Sequence, residues 1–88
     1  MSKKEKLFAK ALANPTDVRF ADIETMARHH GWEFDRSCGS HRQWVHEKWH
    51  RPIPLQEKNG MAKPYQVRQF LTAIKTIASR NDSEEGNE

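Results

Sequence analysis

At Gly31 the apolar residues change period, and that change restricts the chain to a mixed fold. Before it, Phe20, Ile23, Met26 and Ala27 recur at helical spacing. After it, Trp32, Phe34 and Arg36 alternate with Glu33, Asp35 and Ser37. A period near 3.6 marks one face of a helix, and a period of 2 marks a half-buried strand. Further on, Val67, Phe70, Leu71, Ile74 and Ile77 return to helical spacing. Strands enclosed by helices in this way give an α+β domain, because each apolar stripe needs a sheet face to cover.

The boundaries follow from local chemistry. A first helix is predicted over residues 2–13, where Ser2 and Glu5 form the S-x-x-E pattern of a capping box. Its stripe is Leu7, Phe8, Ala11 and Leu12, with Lys3, Lys6 and Lys10 largely opposite. Asn14-Pro15 ends it, since the residue before proline is driven out of the α region. Residues 16–19 connect to a second helix over 20–30. Its acids lie in the first turn and its basic residues in the last, each where the helix dipole favours it, and Gly31 stands at the C′ position.

Three strands follow: Trp32 to Ser37, His41 to His46 and Trp49 to about Gln56. Cys38-Gly39-Ser40 and Glu47-Lys48 join them. Pro52 and Pro54 cannot donate to a ladder, so the third strand must lie at an edge or pair on one side only. Asn59-Gly60 signals a turn within a polar loop. A closing helix starts near Pro64 and runs through Ala78. The predicted order is α-α-β-β-β-α, a two-layer sandwich with a three-stranded antiparallel sheet open on one face. One domain spans residues 1–79, and an acidic tail over 80–88 is expected to be disordered.

Hydrophobic content is 35% over 88 residues, so the core is small and stability should be only about 3–5 kcal/mol. The single cysteine, Cys38, excludes an internal disulfide and a Cys-rich zinc site, and fits a reducing cytoplasm. No apolar h-region follows the first residues and no apolar run suits a membrane, so neither secretion nor a membrane partner is expected. The tail from Arg80 holds one arginine and four acids, a net −3, so residues 1–79 carry +6 of a chain whose total is +3. A body this basic favours polyanions through phosphate attraction.

The chemistry concentrates between Gly39 and Pro54, which hold three of the five histidines and two of the three tryptophans. Strand parity divides this stretch. Trp44 shares a face with Arg42 and His46, and His41 shares the other with Gln43 and Val45. A small core favours Trp44 inward, which puts His41 on the open face; Trp44 as a base-stacking platform is the rival. His41 follows a Gly-Ser turn, whose backbone N–H groups can hold a phosphate oxygen. An imidazole there can move protons near neutrality. The natural target in RNA is the 2′-hydroxyl, which attacks the adjacent phosphorus once deprotonated. Arg36, Arg42, Lys48 and Arg51 are available to hold the phosphate and offset transition-state charge. From spacing alone His41 reads more readily as an idle surface residue. His41, His46 and His50, spaced by five and four, make a weak zinc set, and Cys38 a weak nucleophile. No metal or other cofactor is expected.

The pieces Ile23-Glu24-Thr25-Met26-Ala27, Gly31-Trp32-Glu33-Phe34, Gly39-Ser40-His41, Arg51-Pro52-Ile53-Pro54-Leu55 and Tyr65-Gln66-Val67-Arg68-Gln69-Phe70-Leu71 resemble, in this order, the HicA family of bacterial toxins. The resemblance covers about residues 17–78. It implies a fold similar to a double-stranded-RNA-binding domain and a metal-independent mRNA interferase that inhibits translation. It places the family's essential histidine on His41, after Gly39 and Ser40. It also implies a HicB-type antitoxin as partner, and operator DNA only through the complex with it. The first helix lies outside the minimal family core and is similar to a longer subgroup. A second histidine common after the motif is Arg42 here. The alternatives are a non-catalytic RNA-binding module of the same fold and a protein-interaction module with incidental charge.

Overall fold

A computed structural model describes residues 2–86. Helix α1 is Lys3–Ala13, α2 is Phe20–His29 and α3 is Pro64–Gly86; strands β1 (Glu33–Cys38), β2 (His41–Val45), β3 (Ile53–Lys58) and β4 (Met61–Ala62) lie between α2 and α3. The strands form an antiparallel meander in the order β1-β2-β3-β4. The fold is the predicted α+β sandwich, with one short strand more than predicted.

Local chemistry sets the helix ends. The Ser2 hydroxyl accepts the Glu5 N–H at 3.2 Å and caps α1. The Glu5 carboxylate takes the Ser2 hydroxyl at 3.3 Å, so the contact between the two is side chain to side chain. At the end of α2, Gly31 has φ +85°. The Gly31 N–H donates to the Arg28 carbonyl and the Trp32 N–H to the Ala27 carbonyl. This pair of bonds is the Schellman motif, which needs a residue tolerant of positive φ at C′. A Cβ on Gly31 would also stand 3.1 Å from His46 Nε2. Gly31 therefore both stops the helix and lets the loop after β2 lie against it.

The fourth strand comes from the Asn-Gly turn. Asn59 (φ 53°) and Gly60 (φ 80°) both adopt positive φ between paired Lys58 and Met61. Two positive φ values in a two-residue loop match the type I′ hairpin that Asn-Gly favours. Gly60 and Ala62, on either side of Met61, then bond back to the chain entering α2: Ala62 N–H donates to the Val18 carbonyl, and Phe20 N–H to the Gly60 carbonyl. The predicted third strand also shifts. It begins at Ile53, and the stretch from His46 to Pro52 is a loop. Pro52, which has no N–H to donate to a ladder, stands just before the strand, and β4 pairs with β3 only at Glu57 and Lys58, beyond both prolines. Pro54 pairs on one side, opposite Gln43.

The core lies between the sheet and the three helices. Trp32, Trp44, Ile53, Leu55, Val67 and Phe70 are its largest sealed side chains, with Ile23 and Met26 from α2. Leu7 and Phe8 of α1 pack on its margin. The acidic segment expected to be disordered from residue 80 overlaps the last turns of α3, and residues 87–88 lie outside the described residues. Among the described residues no helix is long and apolar enough to cross a membrane.

Candidate functional site: the open face of the sheet

Residues directly opposed across antiparallel strands share a face. Trp44 is opposite Phe34 and Ile53, and Arg42 is opposite Leu55; these face the helices. His41 is opposite Cys38 on one side and Gln56 on the other, and Gln43 is opposite Arg36 and Pro54; these form the open face. Trp44 is fully buried, so the parity reading that turned it inward holds and base stacking on it is excluded.

Gly39 and Ser40 are the two-residue loop between Cys38 and His41. Gly39 has φ +62° and Ser40 does not adopt positive φ. A positive φ at the first loop position alone is the type II′ pattern, which selects glycine there. The turn puts His41 at the first position of β2, half-exposed and beside the turn's backbone. The Ser40 hydroxyl accepts a hydrogen bond from Gln56 Nε2 at 2.9 Å.

Arg36 reaches this face through an irregularity in β1. The register slips between Phe34 and Arg36, leaving Asp35 as an extra residue. Without that bulge, simple alternation would put Arg36 on the face of Trp32 and Phe34, opposite Arg42. The bulge instead pairs it with Gln43 on the His41 face. Its Nε contacts the Asp35 carboxylate at 3.1 Å, with 72% of the Arg36 side chain exposed. A pair this exposed contributes little and leaves the guanidinium available to a stronger anion.

Arg42 goes elsewhere. It lies on the covered face, its Nε 2.7 Å from Glu24 of α2 and its guanidinium 4.5 Å from the centre of the Phe34 ring. It also lines a cleft of about 290 Å³ beside the turn, with Phe20, Ser37, Gly39, Ser40 and Glu57. The structure thus brings Gly39 and Ser40 to both His41 and Arg42, which stand on opposite sides of the sheet. Lys48 and Arg51 lie in the loop after β2, at the far end of the strand from His41. Four strand steps separate the ends of β2, roughly 13 Å.

Three of the four remaining histidines lie beside aromatic rings. His46 lies 5.2 Å from Trp32 and accepts the Lys48 N–H at Nδ1, 2.9 Å away. His50 lies 5.4 Å from Trp49, and His30 lies 5.3 Å from Phe8. His30 titrates well below the ordinary range, lowered from 6.5 to about 4, first by burial and then by the charges of Lys4 and His29. Among the described residues no group of three or more His, Cys, Asp or Glu could hold a metal ion.

Two residues of this region carry little signal in the sequence. Gln56 lies at the end of a strand whose prolines obscure its register. Gln66 lies within the final helix, yet it is fully buried and its Oε1 accepts the Gln56 N–H at 2.7 Å. Its one signal is position: Gln66 stands four residues before Phe70 and seven before Ala73, on the apolar stripe itself.

Fold and site together define a small basic α+β domain that offers a histidine, an arginine and two glutamines from an open sheet. The family model described as HicA toxin of bacterial toxin–antitoxin matches residues 20–76. The chain therefore belongs to the HicA toxin family, and that membership implies a ribonuclease-type toxin with a cognate antitoxin. The matched span begins at α2, so α1 is an addition to the family core. No curated protein and no solved structure matches the chain.

Proposed function

We propose that this protein is a metal-independent endoribonuclease that cleaves mRNA and so halts translation, with His41 as the general acid and base. The observation that carries the reading is the place of His41. It is the histidine of the open face, at the mouth of a Gly-Ser turn, in a chain of the HicA family. In the reaction His41 removes the 2′-hydroxyl proton, the 2′-oxygen attacks phosphorus, the bond to the 5′-oxygen breaks, and that oxygen takes a proton from the protonated His41 ring, which returns to its neutral form. Gly39 and Ser40 hold the scissile phosphate and Arg36 offsets its charge from the same face. Lys48 and Arg51 hold phosphates further along the RNA, and Arg42 reaches the strand only through the cleft behind the turn. A HicB-type antitoxin covers this face, and operator DNA is met through that complex. The setting is the bacterial cytoplasm.

The test is RNA cleavage by purified protein in EDTA, with His41→Ala beside the wild type. The wild type should give cleavage products, and the variant should give none while keeping its circular dichroism spectrum and its RNA affinity. RNA that is bound but left intact by the wild type would establish the non-catalytic alternative instead.

A further inference from the structure

Gln66 is the one polar side chain in the buried core of the described residues. A sealed amide must find partners. Its Oε1 accepts the Gln56 backbone N–H at 2.7 Å, and its Nε2 donates to the Tyr65 hydroxyl at 3.2 Å. It does so where β3 lacks a strand neighbour, since β4 pairs only from Glu57 onward. The backbone of Gln56 is thereby held from the helix side.

The side chain of Gln56 stands on the other side, opposite His41. Its Nε2 donates to the Ser40 hydroxyl at 2.9 Å, linking the third strand to the turn before His41. A carboxamide nitrogen has two protons, and a hydroxyl that accepts a bond still has one to give. After this contact, one N–H of Gln56 and the O–H of Ser40 remain as donors within a single opposed pair of His41. A hydroxyl that accepts a hydrogen bond is also polarised into a better donor.

We infer that Gln56 and Ser40 form a coupled donor pair that binds the non-bridging oxygens of the phosphodiester attacked at His41. This rests on the ribonuclease reading above and assigns a catalytic residue from a strand outside the Gly-Ser-His turn. The pair acts as one unit. Without Gln56, the Ser40 hydroxyl is free to rotate; without Ser40, the Gln56 amide loses its anchor. Donors fixed in advance on the developing negative charge lower the barrier to cleavage.

Single-turnover cleavage of a fluorescent RNA, with affinity measured separately by anisotropy, tests the pair. Gln56→Ala and Ser40→Ala should each slow cleavage about tenfold or more, with a smaller effect on affinity. The double variant should be no slower than the slower single variant, the signature of two residues acting as a unit. Gln56→Glu should be slower than Gln56→Ala, because a carboxylate draws the Ser40 proton to itself and repels the phosphate. Losses that multiply in the double variant overturn the coupling. Wild-type rates in both Gln56 variants, where His41→Ala is inactive, overturn the assignment and leave the ribonuclease reading intact. A fully active His41→Ala overturns that reading and this inference with it.

Discussion

The two faces of β2 carry neighbouring residues with opposite constraints. Trp44 points into the helices and is fully buried, against Phe34 at 5.9 Å and with the Arg28 guanidinium 5.1 Å above its ring. His41, three residues earlier, stands on the open face between Cys38 and Gln56. One face is closed by volume and tolerates little change. The other is shaped by hydrogen bonds and by a bulge that moves Arg36 across the sheet, so it can be rebuilt with small effect on stability. A chain with so little apolar content can hold a chemical surface only if the opposite face supplies almost all of the cohesion.

The largest test of this contrast is Trp44→Ala against an open-face control. Truncating a buried tryptophan costs about 3–5 kcal/mol, as much as a domain of this size is expected to possess. The variant should be largely unfolded at 25 °C by circular dichroism. Gln43→Ala, one residue away on the open face, should stay within about 0.5 kcal/mol of the wild type. Equal losses at the two positions would abolish the distinction between the faces.

Gln66→Leu sharpens the comparison at the seam between them. Leucine fits the core but leaves the half-buried Gln56 N–H without its acceptor, a loss of about 1 kcal/mol or more. Urea denaturation should give an intermediate stability, below the wild type and above Trp44→Ala. A variant as stable as the wild type would mean that the Gln56 N–H finds another acceptor.

Much of this arrangement is legible in the sequence where it depends on neighbours along the chain. The change of period at Gly31, the Gly39 turn and the one-sided pairing of Pro54 follow from local sterics, and the inward turn of Trp44 follows from parity once a small core needs the larger side chain. The features that are not legible depend on a partner strand or helix. Nothing in Glu33–Cys38 announces the bulge at Asp35, because it is decided by what stands opposite: regular pairing would set Arg36 against Arg42. Asn59-Gly60 signals a turn, but Met61 and Ala62 are too few to show a period, and their strand exists because Val18 and Arg19 offer partners. The same holds for Gln66, whose amide makes sense only beside Gln56. For the proposed site, only the resemblance to HicA toxins favours His41 over an idle surface histidine, and no local pattern distinguishes Gln56.

The smallest expected effect belongs to a histidine on the closed side. His30 packs on Phe8 where α1 covers α2, and burial, Lys4 and His29 together lower it from 6.5 to about 4. Below pH 6.5 the unfolded chain takes a proton at this position while the native one resists until about pH 4. The unfolded state then binds more protons, so stability present above pH 6.5 declines as the pH falls through this window and levels off beneath it. Since the ring is partly exposed, solvent screening reduces the effect to on the order of 1 kcal/mol. His30→Phe keeps a ring against Phe8 and removes the titration. Urea denaturation of both proteins at pH 7.5 and pH 4.5 cancels the carboxylates they share. The variant should therefore gain on the wild type at the lower pH. If His30→Phe keeps the wild-type slope, α1 does not seal His30, and the helix that extends the family core contributes packing at Phe8 without isolating the ring from water.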